Sequence, residues 1–503
     1  MKEISIMPIS PVGFIRISLF AIIILINPTI VSGQDKGSLP VSKIPAPSPS
    51  PSPKPVQSRP KDIVNLIRDA RFAAPELAAD TLIGLLEARK VSEKEWRKEL
   101  VDEILRLIDE VPARVSLRPV SIRGVNLSNT NIYLIAAARS LKLDQLSLKG
   151  RVIKILAESE PERARQIVFD LGGQLKLKSR SCEDALVYDV GSIYTAAAQV
   201  AKVAFSESQI ADGRRAMFLL PWFETIESPT QLVPAIALIE QVQGPLIERQ
   251  MLFNALIKSM DRSFNDDRSF SATANSVGMK IASLAVNDET LKLQLLGAYR
   301  AFLVKNIQST RCKDNAVTRS SLVPDYIETA NKLLPEKPLA LDDIVTRSSE
   351  GVVKTTDLAA KSASIRMFTE ELRKLQSQGG DRESASPVAS DLDWQQRVRM
   401  LVEKVLSFDG ENGETDEEVL FIKCSALGAI LQMVKTTELR KLLFRSSILT
   451  LSRSPLQKTN FPTWFYLAKG LQQSDRQLFS DFALETPNSN FNIMIEAARG
   501  TAN

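Results

Sequence analysis

The sequence predicts an all-α protein: antiparallel helical hairpins stacked as an irregular α-solenoid or superhelical array, with a smaller C-terminal helical lobe. Three observations carry this expectation. From Asp62 onward, apolar residues recur at three- and four-residue spacing. The links between periodic segments are short, which favours antiparallel neighbours. Strand-like alternation is scarce, and its best candidate, "PARVSLRPVSIRGVNLSNTNIYL", is broken by Pro112, Pro119 and Gly124 into a loop or short ribbon.

Taken in chain order, residues 1–33 have the pattern of a secretory signal. Lys2 and Arg16 precede an apolar run from Ile17 to Ile26, and Val31, Ser32 and Gly33 offer a cleavage site before Gln34. The alternative is an uncleaved signal anchor that tethers the chain to a membrane, but the run is short against the roughly 20 residues needed to span. No other stretch is long and apolar enough to be a second span, so the mature chain is expected to be soluble. Residues 34–61 form a Pro/Ser-rich linker. Proline stands at nearly every second position through the middle of "PVSKIPAPSPSPSPKPVQSRP", which fixes φ, removes donors and favours extended polyproline II.

A helical-repeat-like domain is expected over 62–375. Ile63, Leu66, Ile67, Ala70 and Ala74 share one face; Ala78, Leu82, Leu85 and Leu86 a second; Leu100, Ile104, Leu107, Ile108 and Val111 a third. Glu93 and Arg97, like Asp102 and Arg106, have the i,i+4 order that supports an exposed helical face. In "SEPERARQIVFDLGG", Ser159 and Glu162 predict a capping box, Pro161 opens the first turn, and Gly172–Gly173 ends the helix. "APELAADTLIGLL" begins in the same way at Pro75. A Pro-Glu-x-Ala start followed by an apolar face resembles the hairpin arrays of tetratricopeptide and HEAT-type repeats. The separation of Pro75 and Pro161 is not a multiple of the 34-residue tetratricopeptide period and fits two units of about 43. The resemblance covers only these two stretches and implies architecture alone. Further faces follow at Val190, Ile193, Tyr194, Ala197 and Ala201, and at Tyr326, Ala330, Leu333 and Leu334. A Gly/Ser/Asp/Pro-rich stretch predicts a flexible linker over 376–391, and a C-terminal helical lobe over 392–503.

Several chemistries are excluded by composition. The chain has no histidine, so Ser-His and Cys-His nucleophile activation and His-ligated zinc are absent. Three scattered cysteines cannot make an all-thiolate metal site, and Gly-rich phosphate cradles are missing. The acidic loop at Asp409, Glu411, Glu414 and Asp416 fails the calcium-hand pattern: its sixth position from Asp409 is Glu414 and its twelfth is Leu420, where glycine and a carboxylate are required. Thr415 with Glu418 is a better match to a capping box. A net charge of +5, interspersed along the chain, is no nucleic-acid footprint. No catalytic residue, cofactor or metal ligand is therefore nominated.

Two sets of residues remain. Cys182 in "KSRSCEDA" and Cys312 in "QSTRCKDNA" lie in loops at helix ends. In an oxidising compartment they are expected to pair as a disulfide, contributing roughly 5 kcal/mol in the chain-entropy model for a loop of about 130 residues. Cys424, on an apolar stretch, is expected as a buried free thiol. Trp222 and Phe223, and Trp464 and Phe465, are candidate interface aromatics, because such side chains dominate hot spots; the competing expectation is that Pro-broken helix ends bury them.

The resulting expectation is an exported protein, periplasmic or extracellular, acting as a non-catalytic helical scaffold. Its partner would be another protein or an envelope component, met on the variable face of stacked hairpins. The alternative is a carboxylate-dependent envelope enzyme acting on polysaccharide or cell-wall glycan, although "LETPNSNF" around Glu485 is a poor match to a lytic glutamate setting.

Overall fold

A computed structural model describes residues 59–503, apart from 114, 120–135, 179, 181–185, 264–268, 285–288, 309–322, 341–362, 381–386, 412, 457, 459 and 501–503. The all-α expectation holds. The chain opens with α1 (Lys61–Ala70), α2 (Pro75–Glu87) and α3 (Lys94–Glu110), covering the three apolar faces read from the sequence. Pro75 occupies the first position of α2, where its missing N–H costs nothing. There follow α4 (Gln145–Ser159), α5 (Pro161–Gly172), α6 (Gly191–Val203), α7 (Glu207–Ala211) and α8 (Arg214–Glu224). A short 3-10 turn, Pro229–Gln231, leads into α9 (Leu232–Val242), α10 (Leu246–Arg262), α11 (Ser269–Ser283), α12 (Glu289–Gln308) and α13 (Val323–Leu333).

Helices two or three apart in this series pack on one another. One row runs α2, α4, α6, α9, α11, α13; α5, α8, α10 and α12 form a second row against it. Helix α6 is wedged between α4 and α9, and its sequence explains how. Ala196, Ala197, Ala198 and Ala201 are all fully buried, so small side chains face neighbours on several sides. At Gly150 an added Cβ would lie 3.3 Å from the Ser192 carbonyl oxygen, so glycine permits this close approach of α4 to α6. Between α2 and α4 the tie is ionic: Arg151 donates to both Glu87 oxygens at 3.0 and 2.7 Å and also reaches Asp80.

The C-terminal part comprises α14 (Ala363–Gly380), α15 (Pro387–Ser407), α16 (Asp416–Met433), α17 (Thr437–Arg453), α18 (Phe461–Ser474), α19 (Arg476–Leu484) and α20 (Ser489–Gly500). Helix α16 packs against α14, α15, α17 and α18. The capping box expected at Thr415 is present: Thr415 Oγ1 accepts from Glu418 N at 3.3 Å, and Glu418 Oε2 accepts from Thr415 N at 2.8 Å.

Three expectations are corrected. The linker placed at 376–391 is helical wherever it is described: 376–380 finish α14, and Pro387, in a favoured first-turn position, starts α15. The C-terminal helices are not a detached lobe, since residues 59–503 form one compact unit. Helix α20 packs on α1, Asn490 Oδ1 accepts from Ala74 N at 2.7 Å, and the Ser489 hydroxyl donates to the Phe72 carbonyl. The capping box at Ser159 does not form; its hydroxyl bonds back to the Ile155 carbonyl at 3.2 Å, so Ser159 closes α4 instead of opening α5.

One ribbon interrupts the helices. Strand β1 (Leu117–Pro119) pairs antiparallel with β2 (Leu186–Tyr188), Leu117 opposite Tyr188 and Pro119 opposite Leu186. Among the described residues, no helix is long and apolar enough to cross a membrane.

Candidate functional site

The interface-aromatic reading of Trp222, Phe223, Trp464 and Phe465 is corrected by their burial. Trp222, Phe223 and Trp464 are fully buried and Phe465 retains only 9% exposure. Trp222 donates its indole N–H to the Val168 carbonyl at 3.2 Å and meets Tyr194 edge-on at 5.1 Å. Pro221, inside α8, lacks the N–H that would continue the helical ladder. The carbonyls of the last turn are taken by side chains: Tyr194 Oη donates to Trp222 O at 3.3 Å, and Ser259 Oγ and Arg262 Nη2 each donate to Phe223 O at 2.8 Å. Trp464 donates to the Leu451 carbonyl at 2.9 Å and stacks on Phe491 at 5.1 Å. These rings anchor the core.

Cys182 and Cys312 lie outside the described residues. Cys424 is a free thiol on α16, half-buried rather than fully enclosed. Burial pushes its thiol up to about 12, against a smaller opposing effect of Lys423, so it stays protonated and unreactive near neutrality.

Cys424 lines an open groove of about 640 Å³ between α16, α17 and α18, which Leu141 also borders. Its floor consists of small residues. Ser425, Gly428 and Ala429 present one face of α16, Ser447 comes from α17, and Gly470 from α18. An added Cβ at Gly428 or Gly470 would find no atom within 4 Å. Leu451, Leu467 and Leu471 add apolar wall, and Tyr466, stacked on Phe421 at 6.1 Å, forms a partly exposed shoulder. The rim is polar. Gln432 and Gln473 are exposed, and their amides bond no group among the described residues. Lys469 Nζ lies 6.0 Å above the Phe465 ring. Arg440 is pinned by Asp475 at 3.6 Å and by the Leu431 carbonyl at 3.4 Å. Among the described residues, the only charged ones lining the groove are Arg440 and Lys469, and both are cations. Sequence reasoning missed this site, though the small residues at 425, 428 and 429 with Gln432 repeat at helical spacing and carried its signal.

A second, smaller cavity of about 150 Å³ lies where α2, the β1 approach and the segment before α18 meet. Glu76, Ser116, Arg139, Asp144 and Asn460 line it. Asp144 caps α4 through Ser147 N at 3.0 Å and accepts from Ser116 Oγ at 2.5 Å. Arg139 pairs with Glu417 at 3.6 Å, and Thr463 donates to the same Glu417 at 2.5 Å. Glu76, 6% exposed, has its carboxyl raised above the usual range by desolvation, only partly offset by a hydrogen bond from its own backbone N–H. Glu485 lines neither cavity and ends α19 in an exposed position. In the acidic loop, Glu414 accepts from Ser364. Among the described residues, no three Cys, Asp or Glu side chains gather as a metal-holding group.

The arrangement therefore offers an open, small-residue groove suited to contact and a smaller cavity of mixed polar and apolar lining where α2 meets the segment before α18. No family model matches this chain, and neither does a curated protein or a solved structure.

Proposed function

We propose that this protein is an exported, non-catalytic helical scaffold that binds another macromolecule, a protein or an envelope component. The observation that carries the reading is the groove between α16, α17 and α18, which has volume and rim hydrogen-bonding groups but no acid–base pair among its lining residues. The alternation of two helical rows fits a superhelical array, whose core is independent of the side chains it shows to a partner. Export belongs to the same proposal, through the leader at 1–33 and the Cys182–Cys312 bridge. Alkylation of the unreduced, denatured protein should then label one cysteine; labelling of all three removes the bridge.

The test is a photo-crosslinking residue at Gln432 in the full chain, expressed with its leader and irradiated in the envelope fraction. A discrete macromolecular adduct is expected, and its absence under mild conditions sinks the reading.

A second reading, carboxylate chemistry on glycan, is favoured by one observation: two buried carboxylates, Glu76 and Asp144, line the same cavity, and desolvation raises that of Glu76. At about 150 Å³ the cavity is too small for a polysaccharide chain, which keeps this reading second. Release of fragments from cell-wall glycan, lost in Glu76→Gln, would reverse the order.

A further inference from the structure

We infer that the groove between α16, α17 and α18 receives an acidic, extended peptide segment of the partner. This rests on the binding reading above and names the chemistry of what is bound.

Charge is the first argument. Among the described residues no aspartate or glutamate lines the groove, while Arg440 and Lys469 do. Their roles differ. Arg440 is held by Asp475 and by the Leu431 and Val434 carbonyls, so it supplies a fixed guanidinium at the α17 side. Among the described residues Lys469 meets only the Phe465 ring face, at 6.0 Å, and keeps its ammonium for an incoming carboxylate. Complementary charge of this kind selects a partner and speeds its encounter.

Shape is the second. Gly428 and Gly470 leave open space where side chains would stand. With Ser425, Ala429 and Ser447 they let a guest main chain approach the helix backbones closely, a use of small residues that an aliphatic ligand does not need. Free rim amides are the third argument. Gln432 and Gln473 each carry one acceptor and two donors, the complement of a peptide N–H and C=O, and both are uncommitted among the described residues. An extended segment exposes those main-chain groups, whereas a helix has already used most of its own.

The experiment uses the full mature chain and three labelled peptides of one length and one apolar anchor, rich in Glu, Gln or Lys, followed by fluorescence anisotropy. The Glu peptide should bind about tenfold or more tighter than the Gln peptide at low salt, and the gap should narrow as salt screens the charges. Lys469→Glu should remove that preference. Gly428→Leu or Gly470→Leu should abolish binding while leaving the thermal midpoint no lower, because the added side chain enters empty space. Equal binding of Glu and Gln peptides, or undiminished binding by Gly428→Leu, overturns the inference. Dodecanoate is the anionic amphiphile control; if it saturates the groove and the Glu peptide does not bind, the peptide inference is overturned. An envelope adduct at Gln432 that survives such a failure leaves the scaffold reading standing, and its loss as well removes both.

Discussion

Trp222 and Trp464 are anchored alike: each stands one or two residues after a proline in its helix, is fully buried, and donates its indole N–H to a backbone carbonyl of another helix. The glycines that accompany them are used in opposite ways. Beside Trp222, Gly172 is a packing glycine, for an added Cβ would lie 2.5 Å from the indole nitrogen. On the helix of Trp464, Gly470 faces nothing within 4 Å. In the first region a missing side chain is filled by a neighbour; in the second it is left as space. A glycine in a helical sequence therefore signals either a tight seam or a vacant groove, and only the opposing helix distinguishes them.

The comparison breaks most decisively at the tryptophan itself. Trp222→Ala should cost about 3–5 kcal/mol by urea titration, the range for deleting a large buried aromatic. The same region holds a buried ion pair, Arg215 with both Glu248 oxygens at 2.8 and 2.7 Å, packed so closely that a Cβ on Gly244 would strike Glu248. Arg215→Met leaves an uncompensated buried carboxylate and should also cost about 3–5 kcal/mol, much of it recovered in the Arg215→Met, Glu248→Leu double variant. Retained stability in the single variant would show that water reaches the pair.

The glycines sharpen the contrast. Gly172→Ala should destabilise by about 1–3 kcal/mol through overpacking, whereas Gly470→Ala should stabilise by up to about 1 kcal/mol through helix propensity. Equal effects would erase the distinction between seam and groove. The smallest effect concerns Glu76. Its carboxyl is raised in the folded state by desolvation, so folded protein holds the proton more tightly than unfolded chain. Stability then falls as pH rises from the ordinary carboxylate range through the raised value. Glu76→Gln should flatten that fall, making the variant at least as stable as the parent at neutral pH, with the advantage fading in acid. A pH-independent difference would assign the effect to packing.

Much of the fold was legible because its signals are local. Helical faces at Leu100, Ile104 and Ile108, the Pro75 start and the Thr415–Glu418 box all lie within a few turns. What was not legible depends on distant partners. The β1–β2 pairing joins segments with α4 and α5 between them in sequence, and composition alone cannot show that Pro387 opens a helix. Ser159 bears the residues of a box, yet its hydroxyl found the Ile155 carbonyl first, a local competition that Ser always offers. The candidate aromatics were conspicuous in sequence and proved internal, while the groove was built from inconspicuous residues, Ser425, Gly428 and Gly470, whose meaning arises only when α16 meets α18.

The clasp between the first and last helices has a consequence for biosynthesis. The hydrogen bond from Ala74 to Asn490 spans 416 positions, so the ribosome must deliver the chain through α20 before α1 acquires that neighbour. Closing so long a loop is slow relative to local helix formation. Synthesis and closure are thereby separate events, and a nascent chain halted before Ser489 should leave α1 open to a protease that the finished molecule resists.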